Sequence, residues 1–198
     1  MTLELWNTFG TFGTFIVIAA TAIAALVQLG HARGSNQIAA LAELQDASQT
    51  PEFTAASNAV RIELANKLRD DEFRYQMAER KARTSENQEL IRKMIAVGNF
   101  YEQTGLLVKM GFVDRSVVLN MYAVIALGAW DDLGPAVAIF RRGQNEAVWE
   151  NFEYFAVLAQ DWLAAHPKGD YPAGVRRITL KDEWLEADKR YATSRAPA

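Results

Sequence analysis

The feature that most limits the fold of this chain is an uncharged stretch near its N-terminus. From Leu5 to Gly30 the sequence contains no Asp, Glu, Lys or Arg, which leaves 26 consecutive positions for an apolar helix. A helix of about 20 residues crosses about 30 Å of hydrocarbon, so the stretch is longer than one crossing requires. We therefore predict one N-terminal transmembrane helix, with a span over residues 6–29, and expect the lipid bilayer to be a partner.

Large apolar and aromatic side chains recur along this stretch, and we expect them to hold the helix in lipid. Tryptophan prefers the boundary between hydrocarbon and headgroups, whereas Phe, Ile and Leu favour the hydrocarbon itself. The predicted anchor residues are Trp6, Phe9, Phe15, Ile16, Ile18, Ile23 and Leu26.

Two other interpretations of the stretch are a cleaved signal peptide and a buried core helix. A signal peptide has a basic segment before a shorter apolar run, and the opening residues MTLEL contain neither Lys nor Arg. We favour the membrane span over both. Its orientation follows from the flanking charges, because Glu4 precedes the span while His31 and Arg33 follow it, and basic flanks stay on the cytoplasmic side. We expect the N-terminus outside and the C-terminal domain in the cytoplasm.

Composition excludes several classes of function. The 198 residues carry 21 Lys and Arg against 24 Asp and Glu, and a net charge of -3 gives no field that would gather nucleic acid. The chain has no cysteine, which removes disulfides, thiolate metal sites and cysteine nucleophiles. Half of the residues are apolar, as in a chain that packs a core.

The remainder of the chain has the periodicity and capping signals of helices, and we predict an all-α fold in which a helical bundle of five to seven helices follows the span. The expected organisation is a tail and span over 1–33, a juxtamembrane linker or short helix over 34–50, a helical domain over 51–172, and a C-terminal helix with a frayed tail over 173–198. The predicted helices cover 51–68, 70–82, 88–110, 115–130, 131–142, 145–165 and 180–190. We expect a capping box at Ser85 and Gln88, a tight hairpin between the third and fourth of these helices at Gly111 and Asp114, and a cap at Thr179.

One carboxylate stands out within the predicted helix over 88–110. Glu102 lies between Gly98 and Gly105, and glycines seven residues apart leave a bare surface that another helix can approach closely. A buried carboxylate needs a cation, which Arg115, Arg141 or Arg142 could supply. An ion pair is the favoured interpretation of Glu102, and a ligand site is the alternative. The candidate structural or ligand-site residues are Asn99, Glu102, Trp130, Arg141 and Glu153.

Known catalytic constellations are missing from the sequence. The two histidines, His31 and His166, have no neighbours typical of a triad, and the sequence has neither a Glu-x-x-His pair nor a glycine-rich phosphate loop. The acidic residues Glu146, Glu150, Glu153, Asp131 and Asp132 suit a solvated helix face and helix caps better than a metal site. We therefore predict no catalytic residue, cofactor or metal, and a protein that is not an enzyme.

Three segments, NFYEQTGLLVKMGFVD, LGAWDDLGPAVAIFRR and NFEYFAVLAQDW, resemble a bacterial family catalogued as domain of unknown function 4760. The resemblance covers roughly residues 51–172 and the preceding span. It implies a single-pass protein of a bacterial inner (plasma) membrane with a helical cytoplasmic domain, and it implies no catalytic residue. The matching positions are Asn99, Phe100, Glu102, Gly105, Gly111, Trp130, Pro135, Arg141, Phe152, Glu153 and Trp162.

Two functional hypotheses follow. The leading one is a membrane-tethered, non-enzymatic interaction or scaffolding module whose partner is a protein, a second copy of the chain included. The alternative is a membrane-tethered sensor of a small ligand or metal, with a pocket around Glu102, Trp130 and Arg141. The sequence itself identifies no small molecule.

Overall fold

The computed structural model describes residues 3–79 and 84–195, with side chains described from residue 21 onward except at position 33. This part of the chain contains seven helices and no strand, which confirms the all-α prediction. The helices are α1 (Leu3–Ser48), α2 (Pro51–Lys67), α3 (Asp71–Glu79), α4 (Ser85–Lys109), α5 (Arg115–Gly143), α6 (Glu150–Ala165) and α7 (Leu185–Arg195).

The chain divides into two compact units, Met1–Pro167 and Lys168–Ala198. In the first unit, α6 and α2 each pack against both α4 and α5, and α3 packs against α5. The last turns of α1 belong to the same core, because Leu44 is only 4% exposed. The second unit contains α7, in which no described residue is buried.

Local sequence explains where α2 begins. Thr50 has extended backbone angles and its hydroxyl accepts a hydrogen bond from the Phe53 N–H at 3.1 Å. Pro51 occupies the first helical position, where its missing N–H costs nothing, and Glu52 complements the positive end of the helix dipole. The predicted start of this helix is confirmed.

The predicted tight hairpin between α4 and α5 is also confirmed. Gly111 adopts a left-handed conformation with φ of 70°, and the Phe112 N–H donates to the Leu107 carbonyl at 3.0 Å, which closes a Schellman motif. The Asp114 carboxylate then accepts from the N–H groups of Ser116 and Val117 at the start of α5. The Ser116 hydroxyl also donates to this carboxylate. This bond, and after it the backbone bonds, keep the pKa of Asp114 below its ordinary value.

One predicted interruption is wrong. One helix is expected to end at residue 130 and another to begin at residue 131, whereas α5 continues through Pro135 to Gly143. Burial explains the difference, because Leu133, Ala136 and Val137 are almost fully buried and their packing outweighs the hydrogen bond that a proline removes. Helix α1 runs without a break through Gly34 to Ser48 and packs Leu44 into the core, so most of the segment 34–50, for which a linker or a short helix is expected, is helical.

Three predicted helix starts are also wrong. Thr84, rather than Ser85, caps α4 and accepts from the Asn87 N–H at 3.2 Å. The helix predicted from residue 145 begins only at Glu150, since residues 146–149 form turns. The C-terminal helix begins at Leu185 and Thr179 does not cap it.

Candidate functional site

The candidate residues of the sequence analysis meet where α6 begins. Glu102, which is partly buried on α4, accepts a hydrogen bond from the Phe152 backbone N–H at 2.9 Å and another from the Asn151 side chain at 2.7 Å. Phe152 is the third residue of α6, so its N–H is one of the groups that the helix itself leaves without an acceptor. Glu102 therefore caps α6 from a different helix.

The predicted ion pair between Glu102 and an arginine is wrong. None of Arg115, Arg141 and Arg142 forms a salt bridge with it among the residues that the structure describes. The reason is that the N-terminus of α6, with its free N–H groups and positive dipole end, stabilises a carboxylate as a cation would.

α6 lacks a cap of its own. The preceding residue, Trp149, has a left-handed backbone with φ of 54° and makes no capping hydrogen bond. This conformation costs a bulky residue about 1–2 kcal/mol, and packing must offset that cost. Trp149 is 7% exposed, its indole N–H donates to the Asn99 side chain at 3.0 Å, and its ring packs edge-on against Phe140.

Two glycines of α4 make room for this junction. A Cβ atom at Gly98 would overlap the Trp149 ring, and one at Gly105 would overlap the Asn151 carbonyl group. Helix α4 thus accepts the start of α6 at the two bare positions that the sequence indicates, and the prediction of a close approach there is confirmed.

Arg141 of α5 holds the other side of the junction. Its guanidinium forms an ion pair with Glu153 at 2.7 Å and donates to the Val148 carbonyl at 3.0 Å. It also lies 6.0 Å from the centre of the Trp130 ring, within reach of a cation–π contact. Arg141 therefore fixes both the turn before α6 and the first turn of the helix.

The five candidate residues are thus brought together: the polar groups of four of them engage other groups of the protein, and the Trp130 ring lies near Arg141. The five are Asn99, Glu102, Trp130, Arg141 and Glu153. Sequence reasoning missed Asn151 and the role of Trp149. No periodic pattern distinguishes Asn151, and nothing in the residue type of Trp149 signals a left-handed conformation.

A separate cavity of about 420 Å³ lies between α2, α4 and α5. Glu102, Trp130 and Arg141 are not among its lining residues. Tyr101 contributes to the cavity from α4, Arg61 from α2 and Asp132 from α5. Burial raises the pKa of Tyr101, and Tyr122 raises it further. Burial also raises the pKa of Asp132, the neighbouring Asp131 adds to this effect, and Arg61 opposes it.

The acidic residues do not assemble a metal centre in the described part of the chain, where no group of three or more His, Cys, Asp or Glu side chains could hold an ion. Glu150 instead lies 3.7 Å from Lys109, and Glu153 pairs with Arg141.

The predicted anchor falls largely outside the residues whose side chains are described, which applies to Trp6, Phe9, Phe15, Ile16 and Ile18. Ile23 and Leu26 of α1 are 63% and 69% exposed. Among the described residues, one helix is long and apolar enough to cross a membrane. This helix is Arg115–Gly143, and 39% of its most apolar 18-residue segment is buried inside the protein.

The fold and this junction define a class: an all-α domain in which α4 and α5 hold the start of a third helix through polar contacts. A family model described as "Domain of unknown function (DUF4760)" matches residues 15–162. The chain belongs to this family. No curated protein and no solved structure matches it.

Proposed function

We propose that this chain is a non-enzymatic interaction module that an N-terminal helix tethers to the cytoplasmic face of a bacterial inner membrane. One observation carries the proposal. The uncharged stretch Leu5–Gly30 and the buried Leu44 belong to the same uninterrupted helix, α1. A span in the first part of α1 is then joined to the folded domain without a flexible linker, and the domain is held at a fixed height above the bilayer.

The use of the polar groups supports a role without catalysis. Glu102, Arg141 and Glu153 are engaged in holding α6, and Asn99 and Lys109 bond to side chains of the same junction. Groups committed to structure in this way are poorly placed to exchange protons with a substrate. An interaction module needs a rigid surface instead, and these contacts supply rigidity.

The partner-binding surface is an apolar patch around the turn between α4 and α5, which we name the hairpin patch. Its side chains are 41–60% exposed although each is large and apolar. The Schellman motif at Gly111 and the Asp114 cap fix the turn, so the patch is preorganised for binding. The residues of the hairpin patch are Leu106, Met110, Phe112, Val117 and Met121.

The proposed occupant of the hairpin patch is the same patch of a second copy. Copies that share one membrane and one orientation present the patch at the same height, so a rotation about the membrane normal brings two patches together. Confinement to the membrane raises the effective concentration of the copies and strengthens even a small interface. An apolar patch also complements itself, since it carries no charge to be repelled.

Cysteine cross-linking in native membranes tests this proposal, because the chain has no cysteine of its own. Phe112→Cys places one thiol in the hairpin patch, and Ile62→Cys, on α2, is a control with similar exposure (59% for Phe112 and 63% for Ile62). Mild oxidation should produce a disulfide-linked dimer with Phe112→Cys and not with Ile62→Cys. Equal cross-linking of both variants, or of neither, contradicts the proposed surface.

A second variant separates the surface from the anchor. Phe112→Asp puts a charge at an exposed position, so the domain should remain folded. The protein extracted from membranes with detergent should then be a monomer rather than a dimer. A dimer that persists with Phe112→Asp places the contact elsewhere, for example within the spans.

A further inference from the structure

The cavity between α2, α4 and α5 has the size of a small-molecule site. Its volume of about 420 Å³ lies within the range of about 300–1,000 Å³ that such sites occupy. Apolar side chains, including Val60, Val97 and Ile125, form most of its wall. None of the hairpin-patch residues lines this cavity, so a ligand in the cavity and a partner at the hairpin patch would use different residues.

A tyrosine hydroxyl without a hydrogen-bond partner lies at one end of the cavity. Tyr101 is 3% exposed and lines the cavity, and its hydroxyl group has no hydrogen bond to any residue that the structure describes. A buried phenol normally finds an acceptor, because leaving the donor unpaired costs stability. A tyrosine hydroxyl keeps its proton at neutral pH and remains a donor, and burial raises the pKa of Tyr101 further.

An acid and a base that do not pair with one another lie at the cavity as well. Arg61 donates to the Asn58 side chain at 3.1 Å and, within the described ranges, has no salt bridge. The Asp132 carboxylate forms no salt bridge and accepts no hydrogen bond within the same set of residues. Burial and Asp131 raise its pKa, and Arg61 is close enough to oppose that shift. Both Arg61 and Asp132 line the cavity. The two opposite charges are therefore each left available to a ligand group of the other sign.

The helix geometry places these groups at opposite ends. The Phe53 ring of α2 lies 4.6 Å from that of Phe100 on α4, so Tyr101 stands level with the start of α2. Arg61 is eight residues further along α2, a distance of about 12 Å along the axis. The cavity thus has a charged end, an apolar middle and a hydroxyl donor at the far end.

We propose that this cavity binds a zwitterionic amino acid with a large apolar side chain that carries a hydrogen-bond acceptor at its tip. The ligand carboxylate pairs with Arg61, its ammonium group pairs with Asp132, and its side chain lies against the apolar wall. The tip accepts a hydrogen bond from the Tyr101 hydroxyl. L-Tyrosine has these features, and L-phenylalanine lacks only the acceptor.

Titration calorimetry of the full chain in lipid nanodiscs tests the proposal with four probes: L-tyrosine, L-phenylalanine, tyramine, which lacks the carboxylate, and 3-(4-hydroxyphenyl)propanoate, which lacks the ammonium group. L-Tyrosine should bind at least about tenfold more tightly than either molecule with one charge, since each loses a charge-assisted hydrogen bond. Equal affinities for the three hydroxylated probes overturn the assignment of the charged end. Failure of all four to bind to folded protein overturns the site.

Two variants locate the binding. Tyr101→Phe should weaken L-tyrosine binding about tenfold and leave L-phenylalanine binding unchanged, because only L-tyrosine uses the Tyr101 hydroxyl.

Gly128→Leu fills the cavity from α5, where a Cβ at Gly128 meets nothing within 4 Å, and should abolish binding. Ala138→Leu, on the exposed face of the same helix, is the matched control and should bind normally. Binding that survives Gly128→Leu in a protein with a native circular dichroism spectrum places the site elsewhere.

Discussion

The Glu102 carboxylate and the Phe152 backbone N–H are joined by a hydrogen bond of 2.9 Å across 50 residues of sequence. This bond supplies α6 with the cap that Trp149, in its left-handed conformation, does not provide. The start of α6 therefore depends on α4, and a change in α4 should be felt as a loss of stability in the whole unit.

Replacing Glu102 tests this dependence. Glu102→Ala should lower the free energy of unfolding by about 1–2 kcal/mol, because it removes a helix cap and leaves the Asn151 amide without its acceptor. Glu102→Gln should cost less, since an amide oxygen still accepts from Phe152. Urea denaturation measures both. Glu146→Ala, at an exposed position, is the control, and an equal loss there would show that the cap contributes nothing.

Gly105 is the position where α6 comes closest to α4. Gly105→Ala should destabilise the fold by about 3 kcal/mol, because the added methyl group overlaps the Asn151 carbonyl and backbone atoms cannot move aside cheaply. Gly128→Ala meets no atom and should instead stabilise α5 by up to about 1 kcal/mol through helix propensity. The midpoint temperature of thermal unfolding should thus fall for Gly105→Ala and rise for Gly128→Ala. Shifts of the same sign would mean that the close approach at Gly105 does not govern packing.

Arg141 should not tolerate lysine. Its guanidinium reaches Glu153 and the Val148 carbonyl together, and a single ammonium group cannot keep that geometry. We expect Arg141→Lys to cost about 1–3 kcal/mol of unfolding free energy. Arg142→Lys, one residue away and exposed, should be neutral. Chemical denaturation measures the free energy of unfolding of both variants. An unchanged value for Arg141→Lys would show that the contacts of Arg141 with Glu153 and Val148 contribute little to stability.

The burial of Tyr101 should make the protein less stable at alkaline pH. Its pKa in the folded protein is raised above the ordinary value of 10.0, first by burial and then by Tyr122. Below about pH 9 the tyrosine is protonated in both the folded and the unfolded chain, so its contribution is constant. Above pH 10 the unfolded chain releases the proton and the folded protein retains it, which lowers the free energy of unfolding.

The variant Tyr101→Phe isolates this effect. The difference in unfolding free energy between Tyr101→Phe and the natural chain should be flat from pH 6 to pH 9 and should then grow in favour of the variant up to pH 11. Denaturation series at these pH values, with Tyr75→Phe as the exposed control, measure it. A difference that stays flat throughout contradicts the burial of the hydroxyl.

The sequence predicts local features of the fold well, and the structure shows where local information ends. Caps and turn glycines act over a few residues, so the starts of α2 and α5 and the hairpin at Gly111 follow from residue type and spacing. The interruption expected at Pro135 is absent because burial of the surrounding apolar residues, a tertiary effect, outweighs a local penalty.

The same limit applies to the junction at α6. Gly98 and Gly105 indicate a close approach, but they do not identify the residue that approaches. Glu102 meets helix N–H groups rather than an arginine because the left-handed backbone of Trp149 turns the chain toward α4. Tryptophan has no preference for that conformation, so its position depends on the assembled core and not on the adjacent sequence.

We propose that α1 tethers this domain to the cytoplasmic face of a membrane. The most direct test is protease digestion of a tag placed after Ala198, carried out on carbonate-washed right-side-out and inside-out vesicles from bacterial cells. We expect the tag to remain with the washed membranes and to be cleaved only in inside-out vesicles. Release of the protein into the carbonate supernatant would contradict the tether, and cleavage in right-side-out vesicles would contradict the orientation.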